Sequence, residues 1–345
     1  MLCPFGEVCG SAFIITLVKS KGVAMTPLRL CLIAAHLLLM HATASAQTWP
    51  SRPIRVIIPF GAGSATDLVP RIVFEQLSPQ LGQPIVVENR GGACGTLGTS
   101  AVAKADPDGY TLLAHSNAFS VAPAIYASLP YDTVNDFAAV SPFGSLPAVL
   151  IMSPSKGFKT IAEMVAAAKA KPGSFNYASV GVGSGTHLSA EKLKLSAGFD
   201  AVHVPFRGGP EALTEIIAGR VDFYFCPINT ALPFIRDGRL VALVTNGTAR
   251  APELPDVPTT LEAGYANADF PIWIGMLAPA ATPRSIVDKL NAETIKALAI
   301  PAVHDKLAKV GVAPLIMTPD EFTARIKNEV VVNAALAKAA GINPN

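Results

Sequence analysis

The chain has 345 residues, half of them hydrophobic and 15% charged, with a formal net charge of +2. That length holds a sizeable core and suits two domains. The near-even charge balance provides neither a basic surface for nucleic acid nor a charged interaction tail.

Residues 1–24 read as an upstream extension. From Met25 the chain offers Arg29, the apolar run Leu30 to Met40, and the small-residue signal Ala44-Ser45-Ala46. This is the pattern of an export signal cleaved between Ala46 and Gln47, and its apolar run is short for a membrane span. The segment takes three of the 27 basic and one of the 25 acidic residues with it, so the mature chain is formally neutral. It also takes Cys3, Cys9 and Cys31. Cys94 and Cys226 remain, and sequence leaves their pairing open.

Beyond the leader, strand-length apolar runs alternate with helical patterns. Strands are predicted at 54–59, 84–89, 110–116, 148–154, 174–181, 201–206, 221–225, 239–246 and 272–279. Helices are predicted at 66–81, 95–104, 160–173, 184–198 and 209–220, then at 283–299, 301–310 and 319–338. Thr160 with Glu163 forms a capping-box signature, and Gly198 is a helix stop. Such alternation implies parallel sheets covered by helices on both faces, arranged as two similar α/β lobes. The helical tail is expected to return to the first lobe. The boundaries expected are 47–147 plus 273–345 for lobe 1 and 148–272 for lobe 2.

Four strand-to-helix turns fall where open α/β sheets bind ligands, at the carboxyl ends of strands. The first contains Phe60, Gly61, Gly63, Ser64, Thr66 and Asp67. The second contains Ser116 and Asn117. The third contains Ser179, Gly183, Ser184, Thr186 and His187, and the fourth Arg207 and Gly208. Helix-opening N–H groups and the helix dipole make such turns anion sites. "GAGSAT" matches a dinucleotide turn except that Thr66 replaces the third glycine, with Glu88 near the position of a ribose-binding acid. The second glycine turn, "SVGVGSGTH", favours a small carboxylate held between two helix starts instead. Helix capping is the alternative role for these serines and threonines, and for Asp67 and His187. Arg207 is a candidate for a ligand carboxylate. Asp222 is a candidate for a cation or ammonium group, with structural pairing as its alternative. His115, His187, His203 and His304 lack metal-ligand spacing, and no nucleophile elbow or paired catalytic carboxylates occur, so no metal, cofactor or catalysis is expected.

The mature chain resembles the extracytoplasmic solute-binding receptors of tripartite tricarboxylate transporters, the Bug receptors. The resemblance spans 49–343. It is carried by "WPSRPIRVIIPFGAGSATD", "LGQPIVVENR", "ADPDGYTLL", "LPYDTVNDFAAVS", "KPGSFNYASVGVGSGTHL", "VHVPFRGGPEAL", "GRVDFYF", "LPDVPTTLEAGY" and "LNAETIKAL". It implies a periplasmic-binding-protein-like α/β fold, with two lobes of mostly parallel sheet and a ligand cleft between them. It also implies a monomer in the periplasm that hands its ligand to membrane permease subunits. The loops at 60–67 and 179–187 would clasp the ligand carboxylate, as the residue reading also implies. Cys226-Pro227 stands where relatives often carry an acidic or amide pair, and the first loop has a shorter glycine run than usual. The family's ligands are dicarboxylates, tricarboxylates, acidic amino acids and aromatic acids, and sequence does not choose among them. A ligand-sensing receptor and an exported dinucleotide-binding oxidoreductase are the competing readings.

Overall fold

The structure, a computed structural model, describes residues 49–92 and 95–342. The leader, its cleavage site and Cys94, with the question of its pairing, lie outside them.

Strand β1 (Ile54–Ile58) buries Ile54, Val56, Ile57 and Ile58 completely, as a strand covered on both faces must. Helix α1 (Ala65–Leu81) follows and stops at Gly82, which takes the left-handed conformation, φ 72°. Next come β2 (Ile85–Asn89), α2 (Thr96–Ala103), β3 (Thr111–Ser116), α3 (Ala118–Ile125) and β4 (Phe137–Leu146). With β10 (Ile272–Pro279) and β11 (Ala313–Pro314) these strands form a sheet ordered β11-β4-β10-β3-β1-β2.

The second sheet, ordered β7-β6-β8-β5-β9, comprises β5 (Ala148–Met152), β6 (Asn176–Ser179), β7 (Val202–Pro205), β8 (Phe223–Pro227) and β9 (Val241–Thr245). Its helices are α4 (Ile161–Ala170), α5 (Gly185–Ala197), α6 (Gly209–Ile217) and α7 (Ile228–Arg236). Thr160 and Glu163 make the expected reciprocal capping box at α4. The tail helices α8 (Arg284–Leu298), α9 (Pro301–Lys309) and α10 (Pro319–Ala339) return to the first sheet, where α8 packs on α1 and β4 and α10 on α3 and β4.

The sheets are mixed, which corrects the expectation of mostly parallel strands. β1–β2, β1–β3, β6–β7 and β6–β8 are parallel. β10 runs against β3 and β4, β11 against β4, and β5 against β8 and β9. The reason is the way the chain changes sheets. β4 runs into β5 across Pro147 alone, and the return segment feeds β10 between β3 and β4 with no helix to reverse it.

β4, α3 and α7 are absent from the sequence reading. β4 contains Pro142 and Gly144, which read as loop but sit at register breaks opposite β10. Pro123 and Pro233 inside α3 and α7 hid two helices.

The two crossings share one buried residue, Asn246. Its Oδ1 accepts from the Ala148 amide (2.6 Å), and its Nδ2 donates to the Phe270 carbonyl (2.9 Å) and to Ser189 Oγ (2.8 Å). One side chain therefore joins the outgoing strand, the returning segment and α5.

Candidate functional site

Two glycine turns open α1 and α5, and they repeat one pattern. "GAGSATD" (61–67) and "GVGSGTH" (181–187) both read Gly-x-Gly-Ser-x-Thr followed by a polar side chain. In each, the serine amide donates to the first glycine carbonyl, Ser64 to Gly61 at 3.3 Å and Ser184 to Gly181 at 3.2 Å. The second glycine is left-handed in both, φ 81° at Gly63 and 74° at Gly183. Its amide is then taken by the side chain four residues on. Gly63 donates to Asp67 Oδ2 (2.9 Å), and Gly183 to His187 Nδ1 (3.1 Å). Each loop thus satisfies itself and leaves the next amides, of Ala65 and Thr66 or of Gly185 and Thr186, without acceptors inside their helices. These point the positive end of the helix dipole into the space beyond.

That space is a cavity of about 640 Å³ with contributions from all four predicted turns. Phe60, Gly63, Ser64, Thr66, Ser116 and Asn117 line it from the first sheet's side. Gly183, Ser184, Thr186, Arg207 and Gly208 line it from the second's. The volume is within the ordinary range for small-ligand sites. The two walls touch. A Cβ built on Gly183 would lie 2.4 Å from Ile125 Cδ1, and one on Gly185 2.7 Å from Ile272 Cδ1.

Five predicted residues do not line the cavity. Gly61 supplies only the carbonyl that closes its turn. Asp67 is buried and accepts from Gly63, Arg71 Nε (2.8 Å) and Asn89 Nδ2 (2.8 Å). Burial pushes its carboxyl up, but the bonds from Asn89, Gly63 and Arg71 outweigh that and hold it below the usual range. Ser179 Oγ bonds within its own turn, to Gly181, and to His203 Nε2 (2.6 Å). His187 braces the Gly183 amide, and its ring stacks on His203, centroids 4.0 Å apart. Asp222 drops out as a ligand candidate and takes the structural pairing that the sequence offered as its alternative. It precedes β8 at the end away from the cavity, about 16 Å along the strand from Pro227. There it accepts from Lys156 Nζ (2.6 Å) and the Asn176 amide (2.8 Å).

The sequence comparison with the family put Cys226-Pro227 near the expected pocket, but sequence reasoning missed Tyr224 and the wall from α3. Tyr224, Cys226 and Pro227 line the cavity from β8, and Ala122 and Ile125 from α3. The rule that ligands bind at carboxyl ends of strands points to Cys226 and Pro227 and away from Asp222. Nothing local marks Ile125. Ser64 Oγ is buried without a hydrogen-bond partner among the described residues, whereas Ser184 Oγ caps the His187 amide (3.2 Å).

Three histidines under the loops make stability depend on pH. Burial lowers His115 to about 4; burial, then the charges of His203 and Lys194, lower His187 to about 3; burial, then Lys194, lowers His203 to about 4. All three are neutral in the folded protein and titrate near 6.5 once unfolded. Their stabilising share is complete above about pH 6.5 and is lost as pH falls towards 4, because the unfolded chain then binds the extra protons. His115 alone contributes a slope of up to about 1.4 kcal/mol per pH unit in that window. Urea unfolding at pH 7.5, 6 and 5 should show the midpoint falling throughout, well above the range where carboxylates protonate. A flat midpoint would mean that these rings are charged in the folded state.

The profile described as "Tripartite tricarboxylate transporter family receptor" matches residues 69–342. Protein BugT of Bordetella pertussis is 35% identical over 302 residues, covering 87% of this chain and 93% of BugT. MatC from Rhodopseudomonas palustris, solved with bound malate, is 32% identical with a TM-score of 0.71 and covers 84% of this chain and 99% of its own. Another protein of that organism, solved with adipate, is 29% identical with a TM-score of 0.76 and covers 86% and 100%. The chain therefore belongs to the tripartite tricarboxylate transporter receptor family, among its Bug proteins, with the two-lobe fold of periplasmic binding proteins.

Proposed function

We propose that this chain is a periplasmic receptor that captures a small organic carboxylate between its two lobes and delivers it to membrane permease subunits, without catalysing a reaction. The observation that carries this is the pair of Gly-x-Gly-Ser-x-Thr turns facing one cavity from opposite lobes. A carboxylate bridging the amides of Ala65 and Thr66 with those of Gly185 and Thr186 gains charge-assisted hydrogen bonds from both lobes at once. It does so only when the lobes are together, so it shifts the population towards the closed form. The lobes proposed are 47–147 with 273–345, and 148–272, and the receptor acts as a monomer. The relatives solved with malate and adipate support the ligand class.

The test is a thermal-shift screen of the purified protein against mono-, di- and tricarboxylates, with NAD and NADP as controls. A ligand at one hundred times its Kd adds about 2.7 kcal/mol to the folded state and raises Tm by several degrees. A shift with dinucleotide alone would turn "GAGSAT" back into a cofactor turn.

A further inference from the structure

The cavity wall is chemically lopsided. The amides of the two helix starts and the hydroxyls of Ser64, Thr66, Ser184 and Thr186 cluster at the two glycine turns, and Ser116, Asn117, Tyr126, Tyr224, Asn229 and Thr230 are the other polar side chains on the wall. Arg207 is the one charged side chain on it, and no Asp, Glu, Lys or His lines it among the described residues. An ammonium group would enter without finding a carboxylate, at a large desolvation cost. A ligand with three carboxylates would meet only Arg207 and two half-charges from helix ends.

Most of the remaining wall is hydrocarbon, including Leu68, Ile125, Leu146, Val182, Ile272 and Ile274. The apolar lining continues to residues that stay exposed. Leu68 on the first lobe is 41% exposed, and Val180 and Val182 on the second are 37% and 41% exposed. Clustered apolar side chains left in water at a cleft mark a surface that something covers. Size points the same way. A cavity of 640 Å³ holds roughly 20 waters at about 30 Å³ each. A four-carbon diacid displaces about four of them, and the rest would face hydrocarbon.

We infer that the ligand is an organic acid with an extended alkyl or aryl body larger than four carbons and without an ammonium group. Its carboxylate lies at the glycine turns and its body lies along Ile125, Ile272, Leu68 and Val182. This rests on the reading of the cavity as a carboxylate site, and it narrows the class of acid.

The experiment is calorimetric titration of the purified protein with succinate, adipate, suberate and phenylacetate, with glutamate and citrate for comparison. Affinity should rise from succinate to suberate by about fourfold per methylene buried. The binding heat-capacity change should grow more negative along the same series. Glutamate and citrate should bind more weakly than adipate. Tightest binding by succinate, citrate or glutamate would overturn the inference and leave the carboxylate receptor standing. No binding by any of the acids would overturn both. The double variant Leu68→Gln, Val182→Thr changes exposed side chains that the fold does not need. It should cut the increment to under about twofold per methylene. An undiminished increment would put the apolar body elsewhere and overturn the assignment.

Discussion

Gly183→Ala lowers ligand affinity by about 10- to 100-fold while the protein stays folded. Gly183 holds φ 74°, where a Cβ costs about 1 kcal/mol, but the loop bears that cost whether the lobes are open or closed. The contact with Ile125 is different. The new methyl would stand 2.4 Å from Ile125 Cδ1 and 3.2 Å from its Cγ2, and Ile125 belongs to α3 of the other lobe. In the proposed closure only the closed form brings them together, so the clash would subtract from closure and therefore from affinity. Ile125→Ala removes the obstructing atoms. In a double-mutant cycle it should restore part of what Gly183→Ala loses, although alone it weakens the cavity wall. Titration with the best acid from the thermal-shift screen measures all four proteins. Additive losses would show that the loop, and not the approach of the lobes, carries the effect. Wild-type affinity in Gly183→Ala would mean that the lobes bind without closing at this point.

Asn246→Ala should lower stability by about 3–5 kcal/mol. Asn246 is fully buried, and its amide group serves the Ala148 amide, the Phe270 carbonyl and Ser189 Oγ. Alanine leaves the first two without side-chain partners in the dry interior, and the desolvation of each costs about 1–3 kcal/mol. Ser189 still donates to Gly185 (2.7 Å), so it suffers less. Asn246→Asp keeps the acceptor for Ala148 but loses both donors and buries a charge, and it should be no better. Urea unfolding compares the midpoints. A loss under about 1 kcal/mol would mean that the backbone bonds alone hold the crossings, from the Asn246 amide to Ala148 (2.9 Å) and from the Phe270 amide to Asn246 (3.0 Å).

Much of the site was legible because its signals are local. Gly63, Gly181 and Gly183 take left-handed dihedrals open to glycine, and Ser64 and Ser184 stand at the N-cap positions, where Ser184 caps through its hydroxyl, so a turn and a helix start are specified locally. The repeat of this pattern in the second lobe was there to be read. Asp67 and His187 were assigned to the ligand because they stand at helix starts, yet that position also lets them brace the glycine amides. Asp222 was misplaced because it was judged by residue type and not by the end of the strand it occupies.

The sequence by itself determined the alternation of strands and helices apart from β4, α3 and α7, the two glycine turns, the return of the helical tail and the family. Each is set by apolar period, capping chemistry or an ordered run of motifs. Only the tertiary structure decided the direction in which β10 and β5 pair, the helix hidden behind Pro123, the meeting of Gly183 with Ile125 and the joining of both crossings by Asn246. These depend on pairings between residues tens to more than a hundred positions apart. Side chains that share no local pattern meet there because the sheets bury them together.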